Sequence, residues 1–377
     1  MFANIVDVSS YLNMKAVKLH RSTTALSCIL MFCAVFICLL GSNAAAADVS
    51  GRLITSAAIA INPATHKVYA VDEEHNAVIV TDEYTGLTNK VAVDKSPIAL
   101  AVLPALNRVY VVNTDSNSIS VIDGRRDVVI ATIRGGSHPY TIAANRKTNQ
   151  VYVTYTYDHI LTVIDGITDA ASTMKTGSAD GIVIDEKTNT LFLTTYEDPN
   201  IRIVNASTGK VQKVLVGGHI WGMVFDTTAS RLYLAHTSTA DVLSLDEKTL
   251  RIAKIPVGHI PCALAFNPIT RRLYAVNYGD HTLSVIDTDA ARAVKELGVG
   301  DHPQAVITDD RRNRIYVANV HGNSVTVVDG SKNVVIETYQ AGNHPYALAV
   351  DENTSQVYAA IYGDSASIRV DTTPVSR

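Results

Sequence analysis

The stretch PQAVITDDRRNRIYVANVHGNSVTVVD, residues 303–329, contains the pattern that decides the fold. It is centred on Tyr316, with Pro303 thirteen residues before it and Asp329 thirteen residues after it. Its apolar residues fall in three short runs rich in β-branched and aromatic side chains, and Asp, Asn, Gly and Arg residues separate these runs. Short runs of this kind predict β-strands joined by tight turns.

The same pattern recurs eight times along the chain. The position of Tyr316 is aromatic in every copy, at intervals of 40 to 42 residues: Tyr69, Tyr110, Tyr152, Phe192, Tyr233, Tyr274, Tyr316 and Tyr358. Thirteen residues after each aromatic lies an acid or an amide: Asp82, Asp123, Asp165, Asn205, Asp246, Asp287, Asp329 and Asp371. Complete copies add a fourth apolar segment, such as residues 128–133. Four short strands in a period of this length are typical of a β-propeller blade.

The sequence therefore predicts an all-β fold, a β-propeller of four-stranded blades. Eight repeats are counted, and seven blades is the alternative. The eighth repeat ends after three strands, and residues 48–54 lie where a fourth strand would precede the first repeat. We expect this N-terminal strand to close the ring, since closure removes open sheet edges. The acids that end the third strands are expected to cap the following turns.

The first 47 residues differ from the repeats. Residues 26–40 are an apolar run of 15 residues, preceded by Lys15, Lys18 and Arg21 and followed by four alanines at 44–47. A basic segment, a short apolar core and small residues are typical of a secretory signal peptide. The run is also short for a membrane-spanning helix, which needs roughly 20 apolar residues.

We expect a signal peptide over residues 1–47, with Met14 as the true start, and a single β-propeller domain over residues 48–377. The protein is then periplasmic or extracellular, or anchored to the membrane if the signal is not cleaved.

Without residues 1–47 the chain has 29 basic and 35 acidic residues, a net charge of −6. That balance argues against a duplex-DNA binder. Only Cys262 remains after cleavage, so no internal disulfide forms.

The repeats also carry a family resemblance. Variants of the motif YVTN occur as YVVN at 110–113, YVTY at 152–155, YAVN at 274–277 and YVAN at 316–319. Ser-Val-Ile-Asp and Gly-x-His-Pro elements recur in the same units. The chain resembles the YVTN-repeat, YncE-like β-propellers over residues 48–377. This resemblance implies an exported or surface-exposed protein, usually of seven blades, and single-stranded DNA is a partner that it implies.

Histidines are concentrated on one side of the predicted propeller. Because successive strands are antiparallel, turns between second and third strands share one face with the loops between blades; we call it the loop face. Ten of the eleven histidines after residue 47 belong there: His75, His138, His159, His219, His236, His259, His281, His302, His321 and His344. Only His66 falls on the opposite side.

Four of these histidines share one register, directly before a first strand: His138, His219, His302 and His344. Imidazole binds divalent metals and, when protonated, anions, so we predict a divalent metal site here. The alternative is a structural role, in which each histidine hydrogen-bonds the neighbouring blade.

One position further along the first strand, the residues differ between repeats. We predict a ligand-binding site formed by Tyr140, Asp180, Trp221, Gln304 and Tyr346. Divergence at a fixed register is what a pocket on a repetitive scaffold shows, and aromatic rings stack on bases or sugars. The alternative is that these side chains close the channel mouth or pack between blades.

We expect a binding or interaction module rather than an enzyme. The sequence contains no G-x-S-x-G elbow, P-loop, H-E-x-x-H or C-x-x-C motif, so no catalytic residue is predicted. The His/Tyr/Asp-rich loop face would bind a ligand or a protein partner at the channel mouth. The protein would be a monomer, without stable membrane insertion once the signal is cleaved. The alternative is a metal-assisted, lactonase-like hydrolase or lyase on the same face.

Overall fold

The computed structural model describes residues 56–196, 198–351, 353–362 and 367–370. All of them belong to one compact unit, Ile54–Arg377. The expected signal peptide at 1–47 and the expected closing strand at 48–54 lie outside the described residues. The described part contains 31 strands and two short 3-10 turns, Ser56–Ala58 and Pro104–Leu106. None of its helices is long and apolar enough to cross a membrane.

The first four sheets each contain four strands. Sheet one consists of β1 (Ile59–Asn62), β2 (Lys67–Asp72), β3 (Ala77–Asp82) and β4 (Thr88–Ala92). Sheet two consists of β5 (Pro97–Leu103), β6 (Arg108–Asn113), β7 (Ser118–Asp123) and β8 (Val128–Arg134). Sheet three consists of β9 (Pro139–Asn145), β10 (Gln150–Tyr155), β11 (Ile160–Asp165) and β12 (Ala171–Lys175). Sheet four consists of β13 (Gly181–Asp185), β14 (Thr190–Thr194), β15 (Asn200–Asn205) and β16 (Lys210–Leu215).

The remaining sheets continue the same order along the chain. Sheet five consists of β17 (Ile220–Asp226), β18 (Arg231–His236), β19 (Asp241–Asp246) and β20 (Ile252–Pro256). Sheet six consists of β21 (Pro261–Asn267), β22 (Arg272–Asn277), β23 (Thr282–Asp287) and β24 (Arg292–Gly298). Sheet seven consists of β25 (Pro303–Asp309), β26 (Arg314–Asn319), β27 (Ser324–Asp329) and β28 (Val334–Gln340). Sheet eight consists of β29 (Pro345–Val350), β30 (Val357–Ile361) and β31 (Ser367–Arg369).

Each sheet is an antiparallel meander whose first strand contacts the first strand of the next sheet. Strand β29 of the last sheet contacts β1 of the first, so the inner strands form a closed ring. The prediction of an all-β propeller is confirmed. The eight repeats correspond to the eight sheets of the described residues, and seven of these sheets are complete four-stranded blades.

The recurring aromatic lies on the second strand of each sheet and is buried. In three copies the tyrosine hydroxyl reaches the next sheet: that of Tyr69 donates to the carbonyl of Gly124 at 3.3 Å, that of Tyr110 to Oδ1 of Asp169 at 3.0 Å, and that of Tyr152 to Oδ1 of Asn189 at 2.8 Å. A buried tyrosine needs such a partner for its hydroxyl, and it gains apolar burial at the same time. This double role accounts for the preference for tyrosine at this position.

The acids and amides that end the third strands cap the turns that follow. Oδ1 of Asp82 accepts hydrogen bonds from the backbone N–H groups of Tyr84 and Thr85, at 3.1 and 2.8 Å. The hydrogen bond from Thr85 holds the pKa of Asp82 below its usual range. The same backbone pair recurs at Asp123, Asp165, Asn205, Asp246, Asp287 and Asp329. The predicted capping role is confirmed for these seven positions; Asp371 lies outside the described residues.

Candidate functional site

The residue before most first strands adopts a left-handed backbone conformation. The value of φ lies between 48° and 54° at all four histidines of the predicted register, His138, His219, His302 and His344. The backbone N–H of His138 donates to Oδ1 of Asn117 at 2.7 Å, and that of His344 donates to Oδ1 of Asn323 at 2.9 Å. Each bond joins one sheet to the next. The junction at these two positions is therefore made by the histidine backbone, which leaves the imidazole ring for other contacts.

In sheet six a histidine takes the place of that asparagine. His281 has a φ of 57°, and its Nδ1 accepts the hydrogen bond from the backbone N–H of His302 at 2.9 Å. Oδ1 of Asp301 lies 2.8 Å from Nδ1 of His302 and 3.3 Å from Nδ1 of His281. The three side chains place one potential metal-ligand atom each within 4.8 Å of one another. This arrangement is a candidate metal centre.

Two more imidazoles extend the centre across the loop face. Ring centroids are 4.7 Å apart for His281 and His302, 4.3 Å for His302 and His321, and 6.0 Å for His321 and His344. The ring of Tyr278 packs edge-on against His302 at 4.8 Å. We call the set of His281, Asp301, His302, His321 and His344 the histidine row.

Hydrogen bonds identify which ring nitrogens of the row hold a lone pair. Nδ1 of His302 lies beside a carboxylate oxygen, and Nδ1 of His344 lies 2.8 Å from the side-chain oxygen of Asn343. Each of these oxygens only accepts hydrogen bonds, so the tautomer that fits this geometry carries hydrogen on Nδ1 and a lone pair on Nε2. A histidine that donates from one nitrogen to a carboxylate and binds metal with the other is a common arrangement.

The protonation of His321 also favours metal binding. The residue is exposed overall, but partial burial of its ring and then the charge of a protonated His302 lower its pKa below the usual range. His321 is therefore mostly neutral at pH 7, and one of its ring nitrogens offers a lone pair.

The structure brings together only part of the predicted metal set. His302 and His344 belong to the row, whereas His138 lies against Tyr157 at 5.6 Å and His219 against Tyr196 at 5.0 Å, between centroids. His281 and His321 replace them in the row. The sequence predicted both histidines on the loop face. They occupy a different position in the repeat from His302, so the sequence did not predict that they lie beside it. Asp301 was missed, and its position directly before His302 was the available signal.

Four of the five predicted ligand-binding residues, all except Asp180, lie where the pairing of a first strand is irregular. At Gln304 and Tyr346, for example, the register shifts between the flanking residues, Pro303 with Ala305 and Pro345 with Ala347. A β-bulge of this kind changes the direction of a side chain, and bulges are frequent beside binding sites.

Three of the five lie near one another. Oδ2 of Asp180 accepts a hydrogen bond from the backbone N–H of Tyr196 at 3.1 Å, and the Tyr196 ring lies 6.3 Å from that of Trp221. Burial and then the charge of Asp180 raise the pKa of Tyr140. Trp221 is 40% exposed and so offers a flat apolar surface to a ligand.

The other two belong to different surroundings. Tyr346 is buried in the core between sheets eight and one, together with Ala58, Ile59 and Tyr358, and burial raises its pKa. This placement favours the packing alternative for Tyr346. The carbonyl of Gln304 lies 4.0 Å from Sγ of the buried Cys262, on the neighbouring first strand.

A cavity of about 380 Å³ lies between the first strands, away from the histidine row. Strands β1, β5, β9, β25 and β29 line it with apolar residues. Arg146 and Glu186, from turns between first and second strands, supply its charged groups. The cavity therefore belongs to the inner ring and to the face opposite the loop face.

The fold and the repeat are those of a YncE-like β-propeller. The profile of the YncE-like β-propeller family matches residues 28–348, and the chain belongs to that family. No curated protein matches the chain.

Two solved structures illustrate the likeness in fold. Hydrazine synthase from Kuenenia stuttgartiensis is 19% identical, with a TM-score of 0.60 over 76% of this chain and 99% of that chain. Dihydro-heme d1 dehydrogenase NirN, in complex with DHE, is 11% identical, with a TM-score of 0.69 over 80% of this chain and 69% of that chain. At these identities the likeness concerns the fold alone.

Proposed function

We propose that this chain is a binding module whose histidine row holds a divalent transition-metal ion and, through that ion, a ligand on the loop face. The observation that carries the proposal is the contiguous arrangement of four imidazoles and Asp301 over sheets six to eight. A purely structural repeat would place one histidine at each junction, as it does at His138 and His219. The row departs from that pattern through the added rings of His281 and His321.

The charge of the row favours a cation over an anion. The imidazole of His321 is mostly neutral at pH 7, and the carboxylate of Asp301 lies between His281 and His302. Neutral imidazole with one carboxylate is a ligand set that suits Zn²⁺ and other late first-row metals, whereas Ca²⁺ and Mg²⁺ prefer oxygen ligands only. A metal held by these residues would keep a coordination position for an external ligand.

Stacking on unpaired bases is a second candidate function, at a different part of the loop face. The exposed ring of Trp221 stands edge-on to Tyr196, beside Asp180. Aromatic rings of this kind bind single-stranded nucleic acid without sequence preference. Loss of oligonucleotide binding in Trp221→Ala, with metal binding unchanged, would identify this second function.

We also propose that the chain acts outside the cytoplasm. Support comes from the apolar run at 26–40 with its basic flank and the alanines that follow. Membership in the YncE-like family agrees with export. Sequencing the N-terminus of the protein recovered from the periplasmic fraction tests this proposal.

Calorimetric titration of the purified chain with Zn²⁺ tests the binding function. We expect His302→Ala to weaken Zn²⁺ binding at the row at least tenfold. The matched control is His138→Ala, which removes an imidazole from the same register and the same backbone conformation but outside the row. Equal Zn²⁺ affinity of the two variants would contradict the proposal. Turnover of a lactone by the Zn²⁺-loaded chain would instead indicate the hydrolase alternative.

A further inference from the structure

On the face opposite the loop face, neighbouring sheets are joined by pairs of amide side chains. The last residue of a first strand donates from its Nδ2 to Oδ1 of a left-handed asparagine in the next sheet. Three junctions use this bond: Asn62 to Asn107 at 2.5 Å, Asn145 to Asn189 at 2.7 Å and Asn267 to Asn313 at 3.1 Å. An amide pair satisfies donor and acceptor without any charge.

The junction between sheets eight and one, which closes the ring, has different residues at the same positions. Asp351 follows the first strand of sheet eight, and His66 takes the left-handed position with a φ of 52°. Glu83 follows strand β3, and its backbone N–H donates to the carbonyl of His66 at 2.9 Å. The equivalent bond between Gly124 and Asn107, also 2.9 Å, shows that the registers match.

The position of Glu83 has no space for a side chain at two of the amide junctions. A Cβ on Gly124 would lie 2.7 Å from Oδ1 of Asn107, and one on Gly330 would lie 2.5 Å from Oδ1 of Asn313. At the closing junction a carboxylate occupies this space. The three residues that differ from the other repeats, His66, Glu83 and Asp351, therefore lie together at the closing junction.

The geometry of these three side chains is compact. Nδ1 of His66 lies 3.6 Å from Oδ2 of Asp351 and 3.7 Å from Oε2 of Glu83. Asp351 is 1% exposed, and its Oδ2 accepts no hydrogen bond from the described residues. A buried carboxylate oxygen without such a partner is costly, and a bound cation removes that cost.

We propose that His66, Glu83 and Asp351 bind Zn²⁺, which fastens sheet eight to sheet one. With metal–ligand bonds of roughly 2.1 Å, a tetrahedral ion spaces its ligand atoms by about 3.4 Å, so small side-chain shifts bring these atoms into range. The two carboxylates balance the charge of the ion. The imidazole selects Zn²⁺ over Ca²⁺, which takes oxygen ligands.

The junction between sheets four and five offers an internal comparison. Asp185, Ser230 and Glu247 occupy the same three positions, since the backbone N–H of Glu247 donates to the carbonyl of Ser230 at 3.0 Å. Burial and then the charge of Asp185 raise the pKa of Glu247. This junction thus has two carboxyl groups and no imidazole, and the closing junction differs from it by its histidine.

Thermal unfolding and Zn²⁺ titration of the full chain test the proposal in a His302→Ala background, so that the result is independent of the histidine row. We expect Zn²⁺ to raise the midpoint temperature of thermal unfolding of the His302→Ala chain. The added triple change His66→Asn, Glu83→Gly and Asp351→Asn copies the junction of sheets one and two; we expect it to fold and to abolish the rise. His66→Ser, which copies the junction of sheets four and five, should weaken Zn²⁺ binding at least tenfold.

The proposal is overturned if the midpoint does not rise in the His302→Ala chain, or if it rises equally in the triple variant. The proposal is also overturned if Ca²⁺ raises the unfolding midpoint and Zn²⁺ does not, because the imidazole of His66 would then have no role in binding.

Discussion

The backbone N–H of His302 donates a hydrogen bond of 2.9 Å to Nδ1 of His281, across the junction between sheets six and seven. At the junction of sheets two and three, the side-chain oxygen of Asn117 accepts the equivalent bond. His281 therefore does the structural work of an asparagine and also adds an imidazole to the loop face. The joint between two blades and the candidate metal centre share the same residues.

The substitution His281→Asn should separate these two roles. Asparagine accepts the hydrogen bond from His302 and adopts the left-handed conformation easily, so we expect the free energy of unfolding to change by no more than about 0.5 kcal/mol. The affinity of the row for Zn²⁺ should fall at least tenfold, because Zn²⁺ would take the Nδ1 lone pair of His281 in place of the His302 N–H, and asparagine removes that ligand. Urea unfolding and calorimetric titration measure the two effects, and a large loss of stability with unchanged affinity would show that His281 is structural only.

The first strands of sheets five and six approach each other closely at Gly222. A Cβ there would lie 2.6 Å from the carbonyl oxygen of Cys262 and 3.0 Å from Cα of Ala263, both backbone atoms. We expect Gly222→Ala to reduce the free energy of unfolding by about 1–3 kcal/mol through forced backbone shifts. Gly298→Ala is the control, since a Cβ at Gly298 meets nothing within 4 Å. Similar urea midpoints for the two variants would refute the close approach.

Cys262 should be chemically inert in the folded protein. Burial raises the pKa of its thiol to about 12, so the thiolate that reacts with alkylating agents is scarce at pH 8. We expect iodoacetamide at pH 8 to leave Cys262 unmodified in the native chain and to modify it fully in guanidinium chloride. Peptide mapping by mass spectrometry measures both states. Rapid modification of Cys262 in the native chain would mean that strand β21 opens to solvent.

The buried tyrosines should make the fold sensitive to alkali. Burial raises the pKa of Tyr274 to about 12 and also raises the pKa values of Tyr110 and Tyr233, whereas an unfolded tyrosine titrates near pH 10. A raised pKa means that the folded state favours the neutral form. This contribution to stability is complete below about pH 10 and is lost as pH rises towards 12.

The urea midpoint should therefore fall between pH 9 and pH 11.5, and tyrosinate absorbance should appear together with unfolding. The same experiment at pH 7 and pH 9 is the control, because both values lie below the unfolded pKa. Tyrosinate absorbance rising near pH 10 in a chain that is still folded would contradict the burial of these hydroxyls.

Most of the fold could be predicted from local and periodic features. The thirteen-residue offsets around Tyr316 determine where strands begin and end, and the capping of turns by residues such as Asp82 depends on neighbours two and three positions away. The face on which each histidine lies also follows from strand alternation. These features require no knowledge of how distant residues meet.

The composition of the sites could not be predicted in the same way. The prediction grouped His138 and His219 with His302 because the three residues occupy the same position in their repeats. Each repeat forms a different blade of the ring, so residues at the same position lie far apart. The residues that meet His302 come from other registers of adjacent sheets, His281 and His321. Their contact depends on how closely one blade packs on the next.

The sequence by itself determined the blade, because four short strands separated by turns in a period of 40 to 42 residues are typical of a propeller blade, which buries its apolar faces against its neighbours. Only the tertiary structure decided which side chains share a site. His66 and Glu83 belong to the first sheet and Asp351 to the last, and the packing of these two sheets brings their potential metal-ligand atoms within 4.8 Å of one another. Ring closure joins residues that are far apart in the sequence. The local pattern of a repeat therefore does not show which of its unusual residues will lie next to those of another repeat.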